Sequence, residues 1–184
     1  MRTFLAFEID QQVQKKVVET TNQFKTIDSR VRWVKPENTH VTVRFFGEVH
    51  EGNIAILKAV IEKAVKGISP FSVEVAGISA FPSLDRARVI WYGVENHIQL
   101  QAVYNRIGDG LRENHIVEKL DTRSYTPHLT AGRVKGQIRS DLIREIRLHE
   151  KIFFGTSLVR AFILFKSTLS NSGPVYEKLS NFTF

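Results

Sequence analysis

Two periods of apolar residues run along this chain of 184 residues. Alternation marks strands, and recurrence every three to four positions marks helices. The opening run FLAFEID predicts a strand over 3–9, with Asp10 placed to cap a helix in which Val13, Val17 and Phe24 share a face. A turn-rich stretch through Trp33, Pro36 and Asn38 leads into a strand over 39–46. Ile54, Leu57 and Ile61 line one face of a helix over 52–65, and strands follow over 71–76 and 88–94. Asn96 with Gln99 three positions on has the form of a capping box, and Leu100, Val103, Ile107 and Leu111 give the next helix its apolar stripe. A strand over 125–133, a helix over Ser140–Leu148 and two or three closing strands (151–155, 157–165 and 175–184) complete the pattern.

Part of this pattern occurs twice. FLAFEID, a helix and HVT match VIWYGVEN, a helix and HLT. His40 and His128 are 88 positions apart (128 − 40), and Asp10 and Glu95 are 85 apart (95 − 10). The repeated unit is therefore a strand–helix–strand module of roughly 40 residues, with His-x-Thr on its second strand. Strands and helices do not alternate with the regular rhythm of a doubly wound parallel sheet. An α+β protein with two similar lobes around antiparallel-rich sheets is expected, forming one domain over 1–184.

Composition narrows the function. Hydrophobic residues make up 42% and charged residues 24%, with 13 Phe, enough to build a substantial core. The chain has no cysteine, which removes disulfides, thiolate nucleophiles and Cys-based metal centres. Its apolar runs are too short to span a bilayer, and MRTFLAFEID lacks the long apolar region of a signal peptide, so a cytoplasmic protein is expected. The net charge of +7 and pI near 9.8 favour polyanionic partners, above all nucleic acid. A basic surface that serves only solubility is the alternative.

The doubled tripeptide carries the candidate chemistry. Residues two apart on a strand share a face, which puts His40 with Thr42 and His128 with Thr130. Val41, Val43 and Phe45 then face the core, as do Leu129 and Ala131. Two lobes related by an approximate two-fold would bring both pairs into one cleft. That suits a reaction needing one general acid and one general base, with the threonine hydroxyls donating to a bound anion. A metal centre is the weaker use of two histidines, because no third ligand falls at short spacing and Thr is a poor zinc ligand. His50 and His97 sit near helix starts. His115 and His149 sit near helix ends, where the dipole favours a positive charge.

The stretches FLAFEID, VRWVKPENTHVTVRFFGEV, RVIWYGV and YTPHLTAGRV, which hold both complete motifs, resemble the 2H phosphoesterases over essentially the whole chain. Within them, the chain is similar to the RNA 2′,3′-cyclic phosphodiesterases, also known as 2′-5′ RNA ligases. The resemblance implies a bilobal, duplicated α+β fold of two antiparallel-rich sheets flanked by helices, with the active site in the cleft between pseudo-symmetric lobes. It implies His40 as general acid and His128 as general base. Thr42, Thr130 and Arg133 would hold the phosphate oxygens, with no metal and no cofactor. The implied partner is RNA ending in 2′,3′-cyclic phosphate, tRNA fragments among the candidates, and the product is a 2′-phosphomonoester. Minor ATP-independent 2′-5′ ligation would accompany it, since a 5′-hydroxyl can take the place of water. A non-catalytic RNA- or nucleotide-binding module and a metal-dependent phosphoesterase are the rival functions.

Strict alternation turns Arg133 away from His128 unless Gly132 permits a bulge. Arg44 has the parity of His40, yet the resemblance gives it no role. Tyr125 is the candidate for stacking on a base, with core packing as the competing use.

Overall fold

The computed structural model describes residues 1–116, 124–170 and 173–184. Its strands are β1 (Arg2–Phe7), β2 (Val31–Trp33), β3 (Val41–Glu48), β4 (Phe71–Phe81), β5 (Val89–Glu95), β6 (His128–Val134), β7 (Phe153–Val159), β8 (Ala161–Ser170) and β9 (Gly173–Thr183). The helices are α1 (Gln11–Lys25), α2 (Ile54–Val65), α3 (Ile98–Asn114) and α4 (Ser140–Leu148). None of these helices is long and apolar enough to cross a membrane.

The strands form one curled antiparallel sheet in the order β7-β4-β5-β6-β3-β1-β8-β9, with β2 also paired to β6. Two separate sheets were expected from the repeat, and a single continuous one is found. Its halves, β7-β4-β5-β6 and β3-β1-β8-β9, join where β3 meets β6, with Val41 opposite Leu129. Strand β6 uses one edge twice. It pairs with β3 at its start and with β2 from Gly132 to Val134.

Helices α1 and α3 each cover the half to which they do not belong in sequence, while α2 and α4 stay on their own. Helix α1 leaves β1 yet lies on β5 and β7: Thr21 and Tyr92 hydroxyls are 2.8 Å apart, and Val13 packs on Gly155. Asp10 anchors this crossing. Its amide donates to Ser157 Oγ and its carboxylate accepts from the Leu158 amide, so the expected side-chain cap of α1 does not form. Helix α3 follows β5 but packs on β3 and α2. A Cβ on Gly110 would lie 2.7 Å from Val60 Cγ1, so glycine is what lets the two helices approach. The capping box at Asn96 is also absent, because Asn96 has φ 57° and α3 begins at Ile98.

The main core lies between the sheet and these helices, built on Leu5, Phe7, Phe24, Leu57, Ile61 and Tyr92. Each such side chain contributes about 1.5–3 kcal/mol by leaving water. The opposite sheet face bears only a small cluster of Phe4, Ala6, Ile163 and Phe165, with Tyr176 against it. With most burial on one side, that second face is free to hold polar groups.

Candidate active site

Two bulges decide which side chains reach the open face. In β3, Ala6 pairs with Thr42 and Leu5 with Arg44, so Val43 is the extra residue and alternation shifts after it. Arg44 turns to the helix side at 4% exposure, donating to the Tyr104 carbonyl at 2.9 Å with its guanidinium 4.1 Å from that ring. Phe45, expected in the core, faces out at 45% exposure beneath the Arg2 guanidinium, and Phe46 takes the buried position. Arg44 therefore loses the parity that alternation assigned it.

The bulge in β6 has the opposite consequence. Trp91 pairs with Thr130 and Ile90 with Gly132, which leaves Ala131 as the extra residue. Arg133, opposite Val89, thereby returns to the face of His128 and Thr130. Gly132 is required here by close approach, since a Cβ would lie 2.6 Å from Val31 Cγ1. The Arg133 charge acts on both His128 and the Tyr176 hydroxyl.

With Val41 opposite Leu129, the two motifs meet across the seam, and the His128 charge acts on His40. Both rings are anchored alike. His40 Nδ1 lies 2.8 Å from the Asn38 carbonyl, and His128 Nδ1 lies 2.7 Å from the Thr126 carbonyl. A carbonyl only accepts, so Nδ1 carries a proton in each ring and Nε2 remains for chemistry. Aromatic rings wall both imidazoles: Phe4 stacks on His40 at 5.0 Å, with Tyr176 edge-on at 5.3 Å. Phe81 stands edge-on to His128 at 5.2 Å and Trp91 at 6.3 Å.

These walls set the protonation. Burial lowers the pKa of His40 from 6.5 to about 4, against the opposing effects of the Asn38 carbonyl and the Glu8 charge. Burial likewise lowers that of His128; the Thr126 carbonyl opposes the shift and the Arg133 charge adds to it. Both rings are neutral near pH 7 until an anion arrives to favour a proton on one. For a reaction that needs one protonated and one neutral ring, kcat/KM is expected to be bell-shaped with its maximum below pH 6.5. The kcat profile should be displaced to higher pH, because the bound phosphate supports the charged ring. Initial rates across pH 4–9 test this, and a kcat/KM that keeps rising above pH 8 contradicts it.

Tyr125 does not stand among these aromatic walls. Its ring packs on the core and stacks on Tyr104 at 4.6 Å, while its hydroxyl donates to the Thr42 carbonyl at 3.1 Å. It supports Thr42 from behind, and packing is the use the structure gives it. Sequence reading missed Phe4, Phe81, Trp91 and Tyr176 as walls. Only pairing across strands sets these rings beside the histidines, and no local signal carries that. Among the described residues, no three His, Asp or Glu side chains gather where they could hold a metal ion.

A family model described as LigT like Phosphoesterase matches residues 7–91. An RNA 2′,3′-cyclic phosphodiesterase of Methanothermobacter thermautotrophicus is 32% identical over 188 aligned residues, covering 99% of this chain and 98% of the relative. One of Methanocaldococcus jannaschii is 33% identical, covering 96% and 97%. In fold, the chain matches a crystal structure from Thermus thermophilus with TM-score 0.85 at 24% identity, covering 100% and 97%. It also matches that of Escherichia coli LigT complexed with 3′-AMP, with TM-score 0.78 at 17% identity, covering 99% and 97%. The chain belongs to the LigT-like 2H phosphoesterases, within the RNA 2′,3′-cyclic phosphodiesterase family.

Proposed function

We propose that this protein hydrolyses 2′,3′-cyclic phosphate ends of RNA to 2′-phosphomonoesters, the activity named for its full-length relatives. The observation that carries the reading is the pair of imidazoles on one sheet face, each held by Nδ1 to a carbonyl two residues upstream, with Nε2 left for proton transfer. His128 Nε2 takes a proton from water as its oxygen bonds to phosphorus. His40 Nε2 donates a proton to the ribose 3′-oxygen as the P–O3′ bond breaks. Thr42, Thr130 and Arg133 donate hydrogen bonds to the non-bridging oxygens, where negative charge builds in the transition state. The two sheet halves act as the two interleaved lobes of one domain, and the open face along the β3–β6 seam is the cleft.

Paired proton-transfer groups of this kind have no use in a module that only binds RNA. Turnover therefore separates the two readings. A short RNA ending in 2′,3′-cyclic phosphate should be converted to a 2′-phosphate end, at a rate EDTA leaves nearly unchanged, because side chains supply every proton and hydrogen bond. Binding without turnover would return the module reading. Loss of activity in EDTA, restored by one divalent ion, would return the metal-dependent one. An RNA 5′-hydroxyl can attack in place of water, giving a minor 2′-5′ junction without ATP when the second strand is held nearby.

A further inference from the structure

The bulge that returns Arg133 to the open face also gives it a neighbour of the same charge. Arg32 of β2 is the registered partner of Arg133 in an antiparallel pair, so both guanidinium groups leave the sheet on the same side. Like charges directly opposite one another destabilise a sheet. No hydrogen bond or ion pair to another described residue relieves either one, and both side chains are exposed. A cost that the fold does not offset internally points to an anion from outside.

Arg32 also lies close to the start of β9. A Cβ on Gly173 would lie 2.7 Å from Arg32 Nη2, so the guanidinium lies against the backbone where β9 begins. The next residue, Pro174, accepts from Asn38 Nδ2 at 3.3 Å, and the Asn38 carbonyl in turn holds the His40 ring. Arg32 therefore lies beside the histidine site without being part of it.

We infer that Arg32 forms a second phosphate subsite, which takes the phosphodiester on the 5′ side of the terminal nucleotide while Arg133 serves the cyclic phosphate. This rests on the proposed function and deepens it: the preferred substrate is an RNA chain end and not a free cyclic nucleotide. The guanidinium fork suits a phosphodiester's two non-bridging oxygens.

The test compares a dinucleotide ending in 2′,3′-cyclic phosphate with the corresponding nucleoside 2′,3′-cyclic phosphate, which lacks the second phosphate. Arg32→Ala should lower kcat/KM for the dinucleotide by about 10-fold, the effect of one charge-assisted hydrogen bond. The loss on the nucleoside should be at least about fivefold smaller. The salt dependence of the dinucleotide reaction should flatten by about 0.7 in its logarithmic slope, and Arg32→Lys should retain most of that slope. Equal losses on both substrates, or none on the dinucleotide, overturn the subsite. Binding gives a readout independent of turnover. A nucleoside 2′,5′-bisphosphate should bind the wild type more tightly than the 2′-monophosphate, and Arg32→Ala should abolish the difference. If the wild type hydrolyses neither substrate, the proposed function fails, and the binding comparison still decides the subsite.

Discussion

Replacing either His40 or His128 with alanine is expected to lower kcat by about 10²–10⁴, the range for loss of one positioned proton-transfer group. The fold should survive. Both imidazoles stand on the open face, while Val41 and Leu129, which meet across the seam between the halves, stay in the main core. The double variant should lose less than the product of the single losses, because acid and base act in one event. Circular dichroism and steady-state rates on an RNA 2′,3′-cyclic phosphate check both statements. Wild-type turnover in a folded single variant removes these residues from the chemistry.

Arg133→Ala is expected to cost about 10²–10³ in kcat/KM, comparable to removing one donor aimed at developing charge. Arg133→Lys should recover only part, since an ammonium cannot make the two parallel bonds of a guanidinium. The variant carries a second signature. The Arg133 charge helps depress the pKa of His128, so its removal lets that pKa rise. The corresponding limb of the kcat/KM profile should then move to higher pH. A rate loss with that limb unmoved would place Arg133 away from His128. An unchanged rate would mean that the β6 bulge does not serve the phosphate.

The repeat was legible because it rests on local chemistry: spacing alone set His40 with Thr42, at the entry to β3, and His128 with Thr130 within β6. Helix α4 was readable over Ser140–Leu148 for the same reason, its apolar spacing being internal to the segment. What the chain could not reveal depends on partners distant in sequence. The extra residue at Val43 exists only relative to β1, and the one at Ala131 only relative to β5. These two positions reversed the expected directions of Arg44, Phe45 and Arg133. Gly132 was the single local hint, and its cause, the approach of Val31 from β2, lies on a short strand that no periodicity marks. Asp10 looked like a cap and instead ties α1 to β7, a contact made 148 residues away. The exchange of helices between halves, and the joining of two expected sheets at Val41 and Leu129, are likewise tertiary choices that no periodicity encodes.

In the proposed reaction His40 protonates the leaving 3′-oxygen while His128 activates the nucleophile. A cyclic substrate with sulfur in place of the bridging 3′-oxygen tests it most directly, because a thiolate leaves without a proton. Single-turnover rates should be measured for wild type, His40→Ala and His128→Ala on both the oxygen and the sulfur substrate. The sulfur substrate should restore His40→Ala to near the wild-type rate and leave His128→Ala as impaired as before. Rescue of His128→Ala alone would reverse the two roles, and rescue of neither would show that His40 does not act as the acid.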